Sequence, residues 1–330
     1  MKRSLSGIKP TGNLTLGNYL GALKKFKEYQ ENYDNFIFIA DLHALTLPIE
    51  PDFLKENTKD ILAFYLASGL DPKKTTIFLQ SDVSAHSELN SIIQNYLYMG
   101  ELSRMTQFKE KSTKMNKEAV GMGLFAYPVL MTADILLYNA DIVPVGEDQV
   151  QHVELARTFV HRFNTRYKKE VFIMPKAIIP KVGARIMSLS DPTHKMSKSD
   201  PKGDIFLKDD LAISKKKIMS AMTDLDSEIY YDPIKKPGIS NLLMIYASLS
   251  DIDILEAQEK FKDCHRYGDF KKEVADKLIE VLKPFQDRYY EILNHENLDL
   301  ILDEGAAKAR KIADKKLTEV KETVGIYVHK

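Results

Sequence analysis

Phe36-Ile37-Phe38-Ile39-Ala40 is an unbroken apolar run, and it constrains the fold more than any other stretch. A strand with one face in water alternates apolar and polar residues. A strand that is apolar on both faces must be covered on both, as in a parallel sheet flanked by helices. Thr76-Ile77-Phe78-Leu79 and Ile142-Val143-Pro144-Val145 read the same way, and Ser4 to Ile8 reads as a further strand. Helix-period segments lie between them: Leu16, Leu20, Leu23 and Lys27; Ile61, Phe64, Tyr65 and Leu66; Leu89, Ile92, Ile93, Tyr96 and Leu97. Strand and helix in alternation predict an α/β unit, a Rossmann-like doubly wound parallel sheet, over residues 1–190.

The character changes near Ser190. Pro192, Pro201 and Gly203 punctuate the junction, and helical periodicity then dominates. Val274, Leu278, Val281 and Phe285 share one stripe, and Ala309, Ala313, Leu317, Val320 and Val324 share another. Residues 191–330 are therefore expected to form a C-terminal, mainly helical domain.

Lys+Arg and Asp+Glu both number 47, so the formal net charge is zero. A nucleic-acid partner would have to meet local basic patches, not a globally basic surface. The closing helix offers one candidate patch: Lys308, Arg310, Lys311, Lys315 and Lys316. A solvated helix face explains the same lysines. The single cysteine, Cys264, excludes an internal disulfide framework and a multi-cysteine zinc site. It fits a reducing cytoplasm. The first residues carry no apolar signal region, and no apolar run approaches the length of a membrane span.

Two motifs carry the chemistry. Ser6-Gly7-Ile8-Lys9-Pro10-Thr11-Gly12-Asn13-Leu14-Thr15-Leu16-Gly17-Asn18-Tyr19 covers a strand end, a turn and a helix start. Such a turn brings backbone N–H groups and the positive end of a helix toward a phosphate. Lys195-Met196-Ser197-Lys198-Ser199 follows the turn-forming Asp191-Pro192-Thr193-His194. Two ammonium groups on a small-residue loop suit a pyrophosphate that is gripped and then released. Neither a P-loop nor a dinucleotide fingerprint competes: Gly121-Met122-Gly123 lacks the third glycine and the preceding strand.

With these motifs the chain resembles the class I aminoacyl-tRNA synthetases, and within them the bacterial tryptophanyl-tRNA synthetases. The match is carried by Pro10-Thr11-Gly12, Leu16-Gly17-Asn18-Tyr19, Met131-Thr132-Ala133-Asp134-Ile135-Leu136-Leu137-Tyr138, Val145-Gly146-Glu147-Asp148-Gln149, Lys195 to Ser199, and Lys236-Pro237-Gly238-Ile239-Ser240-Asn241-Leu242-Leu243. The class motif has histidines at its first and last positions. Here they are Thr15 and Asn18, which still donate hydrogen bonds but carry no charge.

The resemblance implies a ligase that joins L-tryptophan to tRNA(Trp) through an adenylate made from ATP. Mg²⁺ would arrive with ATP, with no metal site of the protein's own. It implies ATP contacts from Lys9, Pro10, Thr11, Thr15, Gly17, Asn18, Gly146, Glu147, Asp148, Ile186, Lys195, Met196, Ser197, Lys198 and Ser199. Lys111, Lys195 and Lys198 would act on the phosphates. Tryptophan would meet Leu5, His43, Tyr127, Met131, Asp134, Ile135, Val143, Val145 and Gln149. Within that set Asp134 would accept the indole N–H, Tyr127 and Gln149 would hold the α-amino group, and His43 would form pocket wall. Asp148 would bind the ribose hydroxyl, cap its helix, or both. Residues 191–330 would carry the lysine loop and an anticodon-binding domain. The enzyme would be a cytoplasmic homodimer with its interface near residues 88–111.

Three other readings stand beside this one. A tyrosyl enzyme shares both motifs, but its phenol pocket should offer a polar pair that the sequence does not show. A small-molecule nucleotidyltransferase of the same superfamily would rarely need the long helical half. A catalytically dead RNA-binding paralogue would have no reason to keep the lysine loop and Asp134.

Overall fold

The computed structural model describes residues 1–113, 120–179, 185–197 and 200–329. Five strands form one wholly parallel sheet in the order β3-β2-β1-β4-β5. They are β1 (Arg3–Ile8), β2 (Asp34–Ile39), β3 (Thr75–Leu79), β4 (Ile142–Pro144) and β5 (Lys176–Ile178). The apolar run becomes β2, flanked by β1 and β3. Its side chains alternate between two cores: Ile37 and Ile39 enter one, Phe36 and Phe38 the other. This is the two-sided burial that an unbroken apolar strand requires. β5, three residues long and bearing an exposed lysine, gave no apolar run to read.

β1 pairs with β2 on one side and with β4 on the other. Chain direction across the sheet reverses there, so a crevice opens at the carboxyl ends of β1 and β4. Both expected motifs of the first half leave the sheet at this point. Lys9 follows β1, and Val145-Gly146 follow β4.

The first helix departs from its expected period. Leu16–Asn18 leads into a π-helical turn, Tyr19–Leu23, before Lys24–Asn32 continues as α-helix. The wider turn re-phases the stripe, so Phe26 is buried where Lys27 was expected.

The division at residue 190 also departs from expectation. The long helices Tyr267–His295 and Leu298–Val324 are present. The first packs on Pro51–Ala67, where Phe64 stacks with Tyr289 at 4.5 Å. Asp60 ties the halves further, holding Lys208 at 2.6 Å and the Tyr289 hydroxyl at 2.5 Å. The last helix returns to the sheet. Ala306, Ala309, Ala313, Leu317 and Val320 share a core with Phe36, Phe38 and Phe78. Gly305 makes this possible, because its backbone lies against the main chain of Ile77 in β3. Sequence order therefore does not match the spatial division: residues 298–324 cover the α/β layer.

Candidate active site

A cavity of about 430 Å³ opens at the β1/β4 crevice. All nine residues expected around tryptophan line it: Leu5, His43, Tyr127, Met131, Asp134, Ile135, Val143, Val145 and Gln149. Lys9, Lys111, Gly146 and Asp148 line it as well. Leu5 comes from β1 and Val143 from β4. Tyr127, Met131, Asp134 and Ile135 come from the helix Met122–Leu137, at the i, i+4, i+7 and i+8 positions that share one face.

Asp134 is 2% exposed, and both its oxygens are engaged. Oδ1 accepts from Gln80 Nε2 at 2.8 Å and from His86 Nδ1 at 2.6 Å; Oδ2 accepts from His43 Nε2 at 2.8 Å. Burial alone would raise its pKa. Hydrogen bonds and charge from His43, then His86, hold it down at about 2. The carboxylate is thus ionised and accepts only, so each imidazole nitrogen facing it carries a proton. Two oxygens provide about four acceptor positions, and three are taken. His86 Nε2 lies 2.8 Å from the Tyr138 hydroxyl. His43 Nδ1 is buried without a partner at the cavity wall.

At the other side of the cavity a chain of hydrogen bonds links four side chains. Gln149 Nε2 donates to Asp148 Oδ2 at 2.7 Å. Gln149 Oε1 lies 2.9 Å from His152 Nδ1, and His152 Nε2 lies 2.8 Å from the Tyr127 hydroxyl. Gln107 Nε2 also donates to Asp148 Oδ2, at 3.1 Å. Asp148 sits within the short 3₁₀ turn Glu147–Gln149, and its carboxylate takes these two amides instead of capping the helix.

Lys9 and Lys111 place their ammonium groups over the Tyr127 ring, at 5.1 and 5.6 Å from its centre. Burial, with repulsion from Lys111, lowers the pKa of Lys9 to about 8. Burial lowers Lys111 too. Two desolvated cations beside one aromatic face want an anion.

The other described residues expected to meet ATP lie outside this cavity's wall. Thr15 and Asn18 satisfy each other in a capping box: Thr15 N–H donates to Asn18 Oδ1 at 2.9 Å, and the Asn18 N–H returns to Thr15 Oγ1. Gly12 holds φ +123° in the preceding turn, a backbone conformation that favours glycine. Pro10 is buried, Thr11 is half-buried with its N–H donated to the Lys9 carbonyl, and Glu147 is exposed. A Cβ on Gly17 would lie 3.7 Å from the Cβ atoms of both Ile186 and Met196, so the two sequence motifs meet there. Ile186 and Met196 are 1% and 4% exposed. In this arrangement both are core residues, and Ile186 presents no open face to an adenine.

Segment 186–188 runs antiparallel to 194–196 through a Met187–Lys195 bridge, leaving Lys195 exposed. The Asp204 carboxylate, itself fully buried, holds both ends of the lysine loop. Oδ1 accepts from Ser197 N–H at 3.1 Å and Oδ2 from Asp200 N–H at 2.9 Å. Lys198 and Ser199, between these anchors, lie outside the described residues. Among the described residues, no group of three or more His, Cys, Asp or Glu side chains is arranged to hold a metal ion.

Gln80, His86, His152, Gln107 and Asp204 were not read from the sequence. Only His152 left a trace, standing three residues after Gln149 at the start of a helix. The partners of Asp134 come from Asp41–Ala44, a 3₁₀ turn and Ala85–Ile93, which are adjacent only in the fold.

The family model for class I tRNA synthetases (W and Y) matches residues 2–283. The chain belongs to this family. It is 50% identical over 329 residues to the tryptophan–tRNA ligase of Bacillus subtilis, covering 99% of this chain and 98% of that one. The tryptophanyl-tRNA synthetase of Mycoplasma pneumoniae has a similar structure, with a TM-score of 0.92 at 36% identity, covering 99% of this chain and 98% of that one. That of Campylobacter jejuni, solved in complex with ADP and tryptophan, gives a TM-score of 0.81 at 37% identity, covering 98% and 99%. The synthetase described here thus keeps the family fold along nearly its whole length.

Proposed function

We infer that this synthetase is a tryptophan–tRNA ligase. It activates L-tryptophan with ATP and then charges tRNA(Trp). Full-length relatives at about half identity carry that activity in their names, and the observation that carries the reading to this chain is Asp134. An ionised carboxylate, buried beside the apolar side chains of Leu5, Met131, Ile135, Val143 and Val145, is a detector for an apolar ring with one N–H donor. A phenol ring offers a group that both donates and accepts, at a different position.

The chemistry needs no nucleophile from the protein. The tryptophan carboxylate attacks the α-phosphorus of ATP, the bond to the β-phosphate oxygen breaks, and pyrophosphate leaves. The protein orients both substrates and stabilises the charge that develops. In this proposal Tyr127 and Gln149 hold the α-ammonium, and Asp148 meets the ribose. Lys9 and Lys111 face the phosphates from the cavity, and Lys195 and Lys198 act on the departing pyrophosphate from the loop. Mg²⁺ belongs to the same proposal as the counter-ion of ATP, held by phosphate oxygens and water.

Transfer to tRNA assigns the anticodon arm to the helical half. The helix Leu298–Val324 offers exposed Lys308, Lys311 and Lys315, whereas Lys316 is committed to the Val171 carbonyl at 2.6 Å. A homodimer and a cytoplasmic location are part of the reading. No single helix among the described residues is long and apolar enough to cross a membrane. The test is pyrophosphate exchange with tryptophan, tyrosine or pantetheine phosphate, followed by tRNA charging. Exchange stimulated by tryptophan alone, with charging of tRNA(Trp), is expected. Exchange with tyrosine or pantetheine phosphate instead would overturn the reading.

A further inference from the structure

The hydrogen-bond chain from Asp148 to Tyr127 has a direction that its end groups impose. The Asp148 carboxylate accepts only, so the group facing it at 2.7 Å must be the Gln149 NH₂. That fixes the amide, and Gln149 turns its carbonyl oxygen to His152 Nδ1 at 2.9 Å. A carbonyl cannot donate, so Nδ1 carries the proton. His152 is fully buried, and burial lowers its pKa to about 4, so the imidazole is neutral and its Nε2 is a bare acceptor. The Tyr127 hydroxyl at 2.8 Å must therefore donate to it. Burial also raises the Tyr127 pKa, which keeps that proton in place.

With its proton turned to His152, the Tyr127 oxygen has only lone pairs left for the cavity. Gln149 Oε1 keeps a second lone pair as well. A ligand group meeting both must donate.

We propose that His152 is a positioning residue that makes the Tyr127–Gln149 end of the cavity an acceptor-only subsite, and so selects the ammonium group of the amino-acid substrate. The proposal rests on the reading that Tyr127 and Gln149 meet that ammonium. It also ties the subsite to Asp148 through one continuous chain of donors.

The test compares tryptophan with indole-3-propionate, which keeps the ring and carboxylate but lacks the ammonium. Dissociation constants come from competition in pyrophosphate exchange, on variants with wild-type circular dichroism. His152→Leu removes the acceptor. His152→Asn keeps a polar group near Gln149 but is too short for Tyr127, and stands in if the leucine variant does not fold. Both should weaken tryptophan roughly tenfold or more, the scale of a hydrogen bond to a charged group, with indole-3-propionate unchanged. His152→Gln reaches Tyr127 again and can offer it a carbonyl oxygen, so it should restore most of the difference.

Parallel loss of both ligands in the folded variants, with no recovery in His152→Gln, would mean that His152 only supports the fold, and the proposal fails. Tyr127→Phe separates the underlying reading. If it weakens tryptophan selectively while the His152 variants do not, the ammonium subsite stands and the role of His152 falls. If Tyr127→Phe leaves the two ligands in their wild-type ratio, the ammonium reading falls and the proposal with it.

Discussion

Gly305 sits against the carbonyl oxygen of Ile77: a Cβ on Gly305 would lie 1.7 Å from that oxygen. The helix that closes the chain can approach β3 so closely only because position 305 has no side chain. Gly305→Ala should push the helix off the strand. Overpacking of this kind costs about 1–3 kcal/mol, and more where the obstacle is backbone. The expected result is a clear fall in Tm, measured by calorimetry at fixed protein concentration. An unchanged Tm would mean that the helix does not pack on β3 as described.

Asp134→Asn should leave ATP binding in place and lose tryptophan activation. The amide NH₂ would confront an N–H of His43, or those of Gln80 and His86, where the carboxylate accepted from all three. A site built to bond a substrate N–H can discriminate by up to the order of 10⁴, so kcat/KM for tryptophan should fall by a large part of that. The 3-benzothienyl analogue, which lacks the N–H, should lose less. An unchanged kcat/KM for tryptophan would place the indole detector elsewhere.

Lys195→Ala and Lys198→Ala should each slow adenylate formation while tryptophan binding without ATP persists. Lys195 is exposed and outside the cavity wall. A charge that meets pyrophosphate mainly in the transition state appears in kcat, at roughly 2–4 kcal/mol. Single-turnover kinetics with equilibrium dialysis would read both quantities. Equal loss of tryptophan affinity would make the loop structural.

The pH dependence of ATP binding should carry the signature of Lys9. Its folded pKa of about 8 lies below its ordinary value of 10.5. Between those values the unfolded chain binds more protons, so this lysine makes stability rise with pH across that window. A phosphate beside Lys9 favours the charged form and raises its pKa again. ATP binding near pH 8.5 should therefore take up a proton, and affinity should weaken as pH rises through about 8. Titration calorimetry in buffers of different ionisation enthalpy measures the uptake, and Lys9→Met should abolish it. Persistence of the uptake in Lys9→Met would assign it to another group.

Patterns that repeat along the chain were legible. The run 36–40 pointed to a strand covered on both faces, because five successive apolar side chains leave an extended strand no face for water. The turn at 9–12, the glycine at 17 and the lysine loop at 195–199 named their chemistry through residue type and spacing. All nine residues read as a tryptophan pocket do line one cavity. Helical spacing put Met131, Asp134 and Ile135 on one face, and the resemblance to the family supplied the other six.

What the tertiary structure decided is everything that depends on residues distant in sequence. Gln80 and His86 reach Asp134 from elements that no periodicity links to it, and they leave it an ionised acceptor with one position open instead of a lone carboxylate. His152 turns the Tyr127 proton away from the cavity only because the helix start brings it between Tyr127 and Gln149. The last helix reads as part of a helical domain because its apolar stripe is helical. A stripe records that a face is buried, not what buries it. The small residues Gly305, Ala306, Ala309 and Ala313 let that face settle on β3 and its neighbours, where close backbone approach and a shared core, not sequence order, set the boundary of the α/β layer.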